Sequence, residues 1–158
     1  MEDLEESEIQ RLVAALDTRL TSQEEAAWAK LKPLGPNVVD HLAAFYPNAK
    51  TWQGRASLVF HSIRYARQSE AAFQLGLAAL ADKSTVVRYR ACGLCAYSLR
   101  RDALQDLHLL VSHKETKTAE DAAAAIDAIE HQNHHLFVDR THSGRSFWVV
   151  NESDRQQV

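Results

Sequence analysis

The residues best suited to chemistry in this chain are four histidines near its carboxyl end: His131, His134, His135 and His142. The spacing of four between His131 and His135 puts both rings on one face of a helix, where imidazole nitrogens can bind zinc. However, the segment EHQNH lacks the glutamate that follows the first histidine in a metalloprotease helix. We therefore expect no metal and interpret the cluster as a solvated helix end, with a metal-dependent hydrolase as the alternative.

Two cysteines form the motif CGLC, which has the spacing of a redox pair or of half a zinc site. In the redox motif, the first cysteine lies at a helix amino terminus, where the dipole lowers its pKa. The preceding residues VVRYRA instead place Cys92 well inside a helix, and there is no second cysteine pair to complete a zinc site. Cys92 and Cys95 are thus predicted to be small, buried packing residues.

Other signatures of catalysis are missing from the sequence. It contains no GxSxG, no HExxH and no glycine-rich phosphate loop, and its five glycines do not cluster. We therefore expect neither an enzyme nor a cofactor. No apolar run approaches the roughly 18 residues that span a membrane. The acidic start MEDLEESEIQ does not resemble a signal peptide, so a cytoplasmic protein is expected.

The net charge of -3 is unevenly distributed. Residues 51–114 carry nine basic and four acidic side chains, whereas residues 1–34 and 115–158 each carry eight acidic and four basic ones. A nucleic-acid-binding domain is usually basic as a whole, so the total disfavours a nucleic-acid partner. The central arginines could form a phosphate-binding surface, but the preferred interpretation is that they neutralise helix ends and pair with aspartates. The arginines are Arg64, Arg67, Arg88, Arg90, Arg100 and Arg101, and the aspartates Asp82, Asp102 and Asp106.

Helical periodicity extends over most of the chain, and from residue 51 the sequence repeats itself. The segment GRASLVFHSIRYAR (54–67) aligns with VRYRACGLCAYSLR (87–100) at a shift of 33, which places Arg55 over Arg88. The segments that follow, AFQLGLAALADK and LQDLHLLVSHK, align at a shift of 31. Each repeat is therefore predicted to be a helical hairpin. The predicted N-caps of the second helices are Ser69 and Asp102.

The segment LADKSTVVRYRACGLCAYSL (80–99) resembles a HEAT-type repeat. In that family an Asp and an Arg commonly hold the turn together, which would correspond here to Asp82 and Arg88. The resemblance is good for residues 51–114, fair for 117–132 and weak for 22–48. It implies a short right-handed α-solenoid, a fold whose ridged surface usually binds protein.

The segment LFVDRTHSGRSFWVV contains two β-rich runs around a glycine-containing turn, a pattern typical of a β-hairpin. Because an isolated hairpin is barely stable, its aromatic side chains are expected to pack on the last helices and cover the end of the stack. We expect one all-α domain over residues 1–158 with a small β-hairpin cap. Its parts are N-terminal capping helices at 1–48, repeats at 51–132 and the hairpin at 136–150.

These features predict a non-enzymatic protein-binding module. Its sharpest version is a cytosolic immunity protein that neutralises a cognate toxin, because the tail DRTHSGRSFWVVN resembles the tails of bacterial proteins of that kind. The alternatives are a HEAT-like adaptor and a nucleic-acid-binding protein similar to the HEAT-like DNA glycosylases. The predicted partner-binding residues lie on the second helices of the repeats and at the tip of the tail: Gln74, Ala78, Gln105, His108, Ser112, His142 and Arg145.

Overall fold

The computed structural model describes residues 4–157, and these residues form helices joined by short turns. The all-α class therefore fits. Short 3-10 turns follow or precede several of the helices. The α-helices are α1 (Glu6–Ala15), α2 (Thr21–Leu31), α3 (Val39–Phe45), α4 (Trp52–Ser62), α5 (Glu70–Ala79), α6 (Thr85–Ser98), α7 (Leu104–Leu110) and α8 (Thr116–Glu130).

Side-chain caps fix the starts of the three central helices. The hydroxyl oxygens of Thr51, Ser69 and Ser84 each accept a hydrogen bond from a backbone N–H in the first turn of α4, α5 and α6. Such a bond satisfies a helix-end donor that has no partner within the helix. The predicted cap at Ser69 is confirmed, but the one at Asp102 is wrong. That carboxylate instead accepts from Arg100, and α7 begins without a side-chain cap.

The helices pack as two layers, with α6 at the centre of the core. Helices α4, α6 and α8 lie side by side in one layer, while α5 and α7 pack beneath them and α3 packs on α5. Helix α5 packs against both α4 and α6, and α7 packs mainly against α8. The core side chains of α6 are fully buried or nearly so, and they include Val87, Ala91, Leu94, Ala96 and Tyr97. This layer of first helices supports the candidate site described below.

Two equivalent ion pairs link the first helix of a repeat to the turn after its second helix. Arg55 in α4 donates to Asp82 at 2.8 Å, and Arg88 in α6 donates to Glu115 at 2.8 Å. Each pair spans 27 residues, and the two arginines are those that the sequence alignment superimposed. Arg88 also donates to the backbone carbonyl of Asp82 at 2.7 Å, and the Asp82 carboxylate accepts from the N–H of Ser84, so both residues do hold this turn. The arginines therefore hold the first helix of each repeat to the turn that follows the second helix.

Cys92 and Cys95 lie inside α6 and are fully buried, which confirms their interpretation as packing residues. Burial raises the pKa of the Cys92 thiol to about 12, and it raises the pKa of the Cys95 thiol well above its ordinary value. Neither side chain is therefore a thiolate near neutral pH. In residues 4–157, no helix combines the length and the apolar character needed to cross a bilayer.

The predicted C-terminal β-hairpin at 136–150 is wrong, because residues 4–157 contain no strand. Its first run begins in the 3-10 turn His134–Phe137 and continues into an irregular loop. The loop that follows folds around Asp139, whose carboxylate accepts from the backbone N–H groups of Ser143 and Gly144. The chain then runs across the first-helix layer without regular structure and ends in the 3-10 turn Glu152–Gln157.

Side chains, rather than a partner strand, satisfy the backbone of this tail. The N–H of Trp148 donates to His135 Nδ1 at 2.9 Å, and its carbonyl oxygen lies 2.8 Å from His134 Nε2. The buried carboxylate of Asp154 accepts from the N–H groups of Val150 and Asn151 at 2.9 and 2.8 Å. Because buried backbone groups need only some partner, these contacts replace the ladder of a hairpin.

Candidate functional site

The outer surface of the first-helix layer carries a groove of about 360 Å³, which we call the α4 groove. This volume is in the range of small-ligand and peptide side-chain pockets. One side chain comes from α2, one from α6, and the others come from the end of α4 and from the tail. The groove is lined by Trp28, Phe60, His61, Ile63, Arg64, Arg90, Trp148, Val149 and Val150.

Stacked planar groups form one side of the groove. The ring of His61 stacks on Trp28 with centroids 3.8 Å apart and on Phe60 with centroids 5.3 Å apart. The guanidinium of Arg90 lies 4.5 Å from the centroid of Phe60. This order places a cation over an aromatic face, an attractive arrangement that also holds the guanidinium at the groove. Phe60 remains 44% exposed, so an apolar ring is available to a ligand.

His61 is anchored from below by an acidic side chain. Its Nε2 lies 2.7 Å from Glu24, and the same carboxylate oxygen accepts from the hydroxyl of Ser57. Burial lowers the pKa of His61 below its ordinary value, and the charges of Arg64 and Arg90 lower it further. The hydrogen bond to Glu24 acts in the opposite direction but is the weaker effect. The lowered pKa favours the neutral imidazole, whose Nε2–H then donates to Glu24.

The tail supplies the opposite side of the groove and is held close to α6. Trp148 packs over Gly93, where an added Cβ would lie 3.4 Å from the indole and 3.3 Å from the Phe137 ring. Trp148 also meets the ring of Tyr97 edge to face at 5.8 Å. Asn151 donates its side-chain amide to the backbone carbonyl of Arg64 at 2.9 Å, which ties the tail to the end of α4.

The two arginines of the groove, Arg64 and Arg90, differ from other arginines of the protein in their polar contacts. Arg67 donates to the carbonyl of Tyr97 at 2.7 Å, and Arg100 forms ion pairs with Glu70 and Asp102. Arg64 and Arg90 form no ion pair with an acidic side chain among the described residues. The α4 groove thus combines apolar rings with two cations whose hydrogen-bonding capacity is available.

The residues predicted to bind a partner lie elsewhere on the surface. The structure places all seven in exposed positions, but none of them lines the α4 groove. His142 contacts Asp127 of α8, and Gln74 donates to Glu70 within its own helix. Two of the seven lie on α5, two on α7, one in the turn after α7 and two in the tail: Gln74 and Ala78; Gln105 and His108; Ser112; His142 and Arg145.

The four histidines of the tail are divided between two environments. His131 and His142 both contact the carboxylate of Asp127 at the surface, whereas His134 and His135 are buried and hold the backbone of the tail. Within the described part of the chain, no group of three or more potential ligand side chains could hold a metal ion. The interpretation as a solvated helix end is therefore wrong for the two buried histidines, which have a structural contact instead.

Sequence reasoning missed Trp28, Phe60 and Trp148 as parts of one site, because they come from three separate segments. One signal was available: at the alignment shift of 33, the position of Phe60 corresponds to Gly93, so an exposed ring stands where the next repeat has no side chain. Comparisons of the chain with protein-family models, with curated protein sequences and with solved structures found no match.

Proposed function

We propose that this protein is a non-enzymatic, cytoplasmic protein-binding module and that the α4 groove is its main interface. One observation carries the proposal: the groove joins exposed apolar surface to two arginines that have no acidic partner among the described residues. Aromatic and arginine side chains are enriched in the parts of interfaces that contribute most to binding energy.

A protein partner fits this groove better than a nucleic acid does. Binding to nucleic acid relies on many cations that follow the phosphate backbone, and the groove offers two. Arg67, Arg88 and Arg100, which would extend such a track, already contact carbonyl or carboxylate oxygens of the protein. The net charge of -3 also opposes general attraction to a polyanion.

The narrower form of the proposal is an immunity protein that neutralises a cognate toxin. Two observations support it. The tail resembles the tails of such proteins, and Trp148, Val149 and Val150 of that tail line the groove. Co-expression tests this form directly. The product of a neighbouring gene should be toxic alone and harmless together with this protein.

Affinity capture from the source cell, with matched variants, tests the general proposal. Phe60→Ser removes an exposed ring from the groove, and Leu109→Ser removes a side chain that is 75% exposed on α7. A specific partner should be retained by the parent and by Leu109→Ser, and lost with Phe60→Ser. If Leu109→Ser alone loses the partner, the interface lies on the α5 and α7 surface and the α4 groove is not the main interface.

A further inference from the structure

We propose that the α4 groove recognises a short non-helical segment of a partner protein that carries an acidic side chain next to an apolar one. The carboxylate lies between Arg64 and Arg90, and the apolar side chain packs on Phe60 and the neighbouring rings. This inference rests on the proposed function and names the chemistry of the partner.

The charge of the α4 groove favours an acidic ligand. Among the described residues, those that line the groove include no acidic side chain, and Glu24, which contacts His61 of the groove, already accepts from His61 and Ser57. Two guanidinium groups without an acidic partner leave a local positive charge on a protein whose total charge is negative. A carboxylate is the side chain that guanidinium groups bind with the strongest directional hydrogen bonds.

The apolar surface restricts the ligand further. Phe60 and Val149 are 44% and 39% exposed, and they lie beside the partly buried rings of Trp28 and Trp148. A lone anion would leave this surface in contact with water. An acidic residue flanked by an aliphatic or aromatic one covers the rings and neutralises the arginines at the same time.

The protein already binds one non-helical segment at the equivalent place of the next repeat. There the tail crosses α6 with Trp148 over Gly93, and Asn151 contacts Tyr97. At the alignment shift of 33, Gly93 and Tyr97 correspond to Phe60 and Arg64 of the α4 groove. On α4 the equivalent positions carry an exposed aromatic ring and an arginine instead, so a segment beside the tail would meet an apolar and a cationic side chain there.

Selection from a displayed library of random nine-residue peptides tests the proposal. The targets are the parent, the double variant Arg64→Gln with Arg90→Gln, the variant Phe60→Ser, and the control Arg101→Gln, which changes an exposed arginine outside the groove. Thermal melts first establish that all four are folded. Peptides selected on the parent should be enriched in Asp or Glu beside an apolar residue, and they should bind Arg101→Gln equally well.

Replacing the acid of a selected peptide by its amide should weaken binding to the parent by about tenfold or more. The same replacement should change binding to the double variant much less, because the two changes remove one interaction. Peptides that depend on Phe60 but show no acidic preference would overturn this inference and leave the proposed function standing. If no peptide needs Phe60, both fail, and a single-stranded oligonucleotide that binds through the two arginines would favour the nucleic-acid alternative.

Discussion

Replacing Asp154 by alanine should release the tail from the first-helix layer. The Asp154 side chain is fully buried, and its carboxylate accepts from the backbone N–H groups of Val150 and Asn151 and from the hydroxyl of Tyr97. Burial opposes its ionisation, but these hydrogen bonds lower its pKa below the ordinary value, so the group is charged at pH 7. Three donors would lose a charged acceptor at once.

The expected loss follows from the number of bonds and from how the protein can relax. A hydrogen bond to a charged group contributes roughly 1.5 to 3 kcal/mol, which gives an upper limit near 5 to 9 kcal/mol for three. If the end of the tail detaches, the two backbone donors can bind water instead. The decrease in the free energy of unfolding therefore cannot exceed the free energy with which this segment is bound to the rest of the protein. We therefore expect Asp154→Ala to lower the free energy of unfolding by about 3 to 4 kcal/mol, or the melting temperature by roughly 10 °C.

Thermal melts and hydrogen exchange measure this effect together. Glu152→Ala is the matched control. Glu152 is 87% exposed and, among the described residues, its ion pair is with Arg155 one turn away, so its loss should stay within about 0.5 kcal/mol. Asp154→Asn keeps one oxygen for the backbone donors and should fall between the two. The amides of residues 148–151 should exchange faster in Asp154→Ala. If Asp154→Ala melts at the same temperature as Glu152→Ala, Asp154 does not hold the tail on the first-helix layer.

Three further outcomes are expected. Cys92→Ala combined with Cys95→Ala should lower stability by about 1 to 3 kcal/mol in denaturant melts without changing partner binding, since both are buried packing residues. Gly54→Ala should lower the melting temperature by more than an exposed Gly→Ala change would, because its Cβ would lie 2.6 Å from a backbone atom of the α1–α2 loop. Burial lowers the pKa of His134, so the unfolded chain takes up the proton first, and stability should fall as pH drops below about 6.5. His134→Gln should weaken this pH dependence, and the part that remains is expected from His61, whose pKa burial also lowers.

The sequence predicted those features that depend on neighbouring residues or on the repeat. The alignment that placed Arg55 over Arg88 corresponds to two ion pairs of the same length and separation. The cap at Ser69 and the burial of the cysteines within a helix were likewise correct, because caps and helix faces follow local spacing. The partners of Arg55 and Arg88 were not predictable from local spacing, because each lies 27 residues further along, in the turn after the second helix.

The tail shows why β propensity alone was insufficient. The run SFWVV favours a strand, but a strand also needs a neighbour whose backbone is available. Here His134 and His135 contact both backbone polar groups of Trp148, and Asp154 accepts the next two N–H groups that need a partner. A buried histidine and a solvated one look alike in a sequence. The cluster was therefore assigned to the helix end rather than to the support of the tail.

A contribution to folding stability explains the presence of Arg64 in the groove better than that of Arg90. Arg64 lies in the 3-10 turn that ends α4, where any cation is favoured by the helix dipole. Arg90 lies inside α6, forms no ion pair with a described residue, and its contacts with aromatic rings contribute about 0.5 to 1 kcal/mol at a partly exposed site. At the alignment shift of 33, the position of Arg90 corresponds to Ser57 in the preceding repeat, so the stacking of the repeats does not demand an arginine there. Folding thus gives little reason for a cation at this position, and binding a carboxylate beside Phe60 gives a specific one.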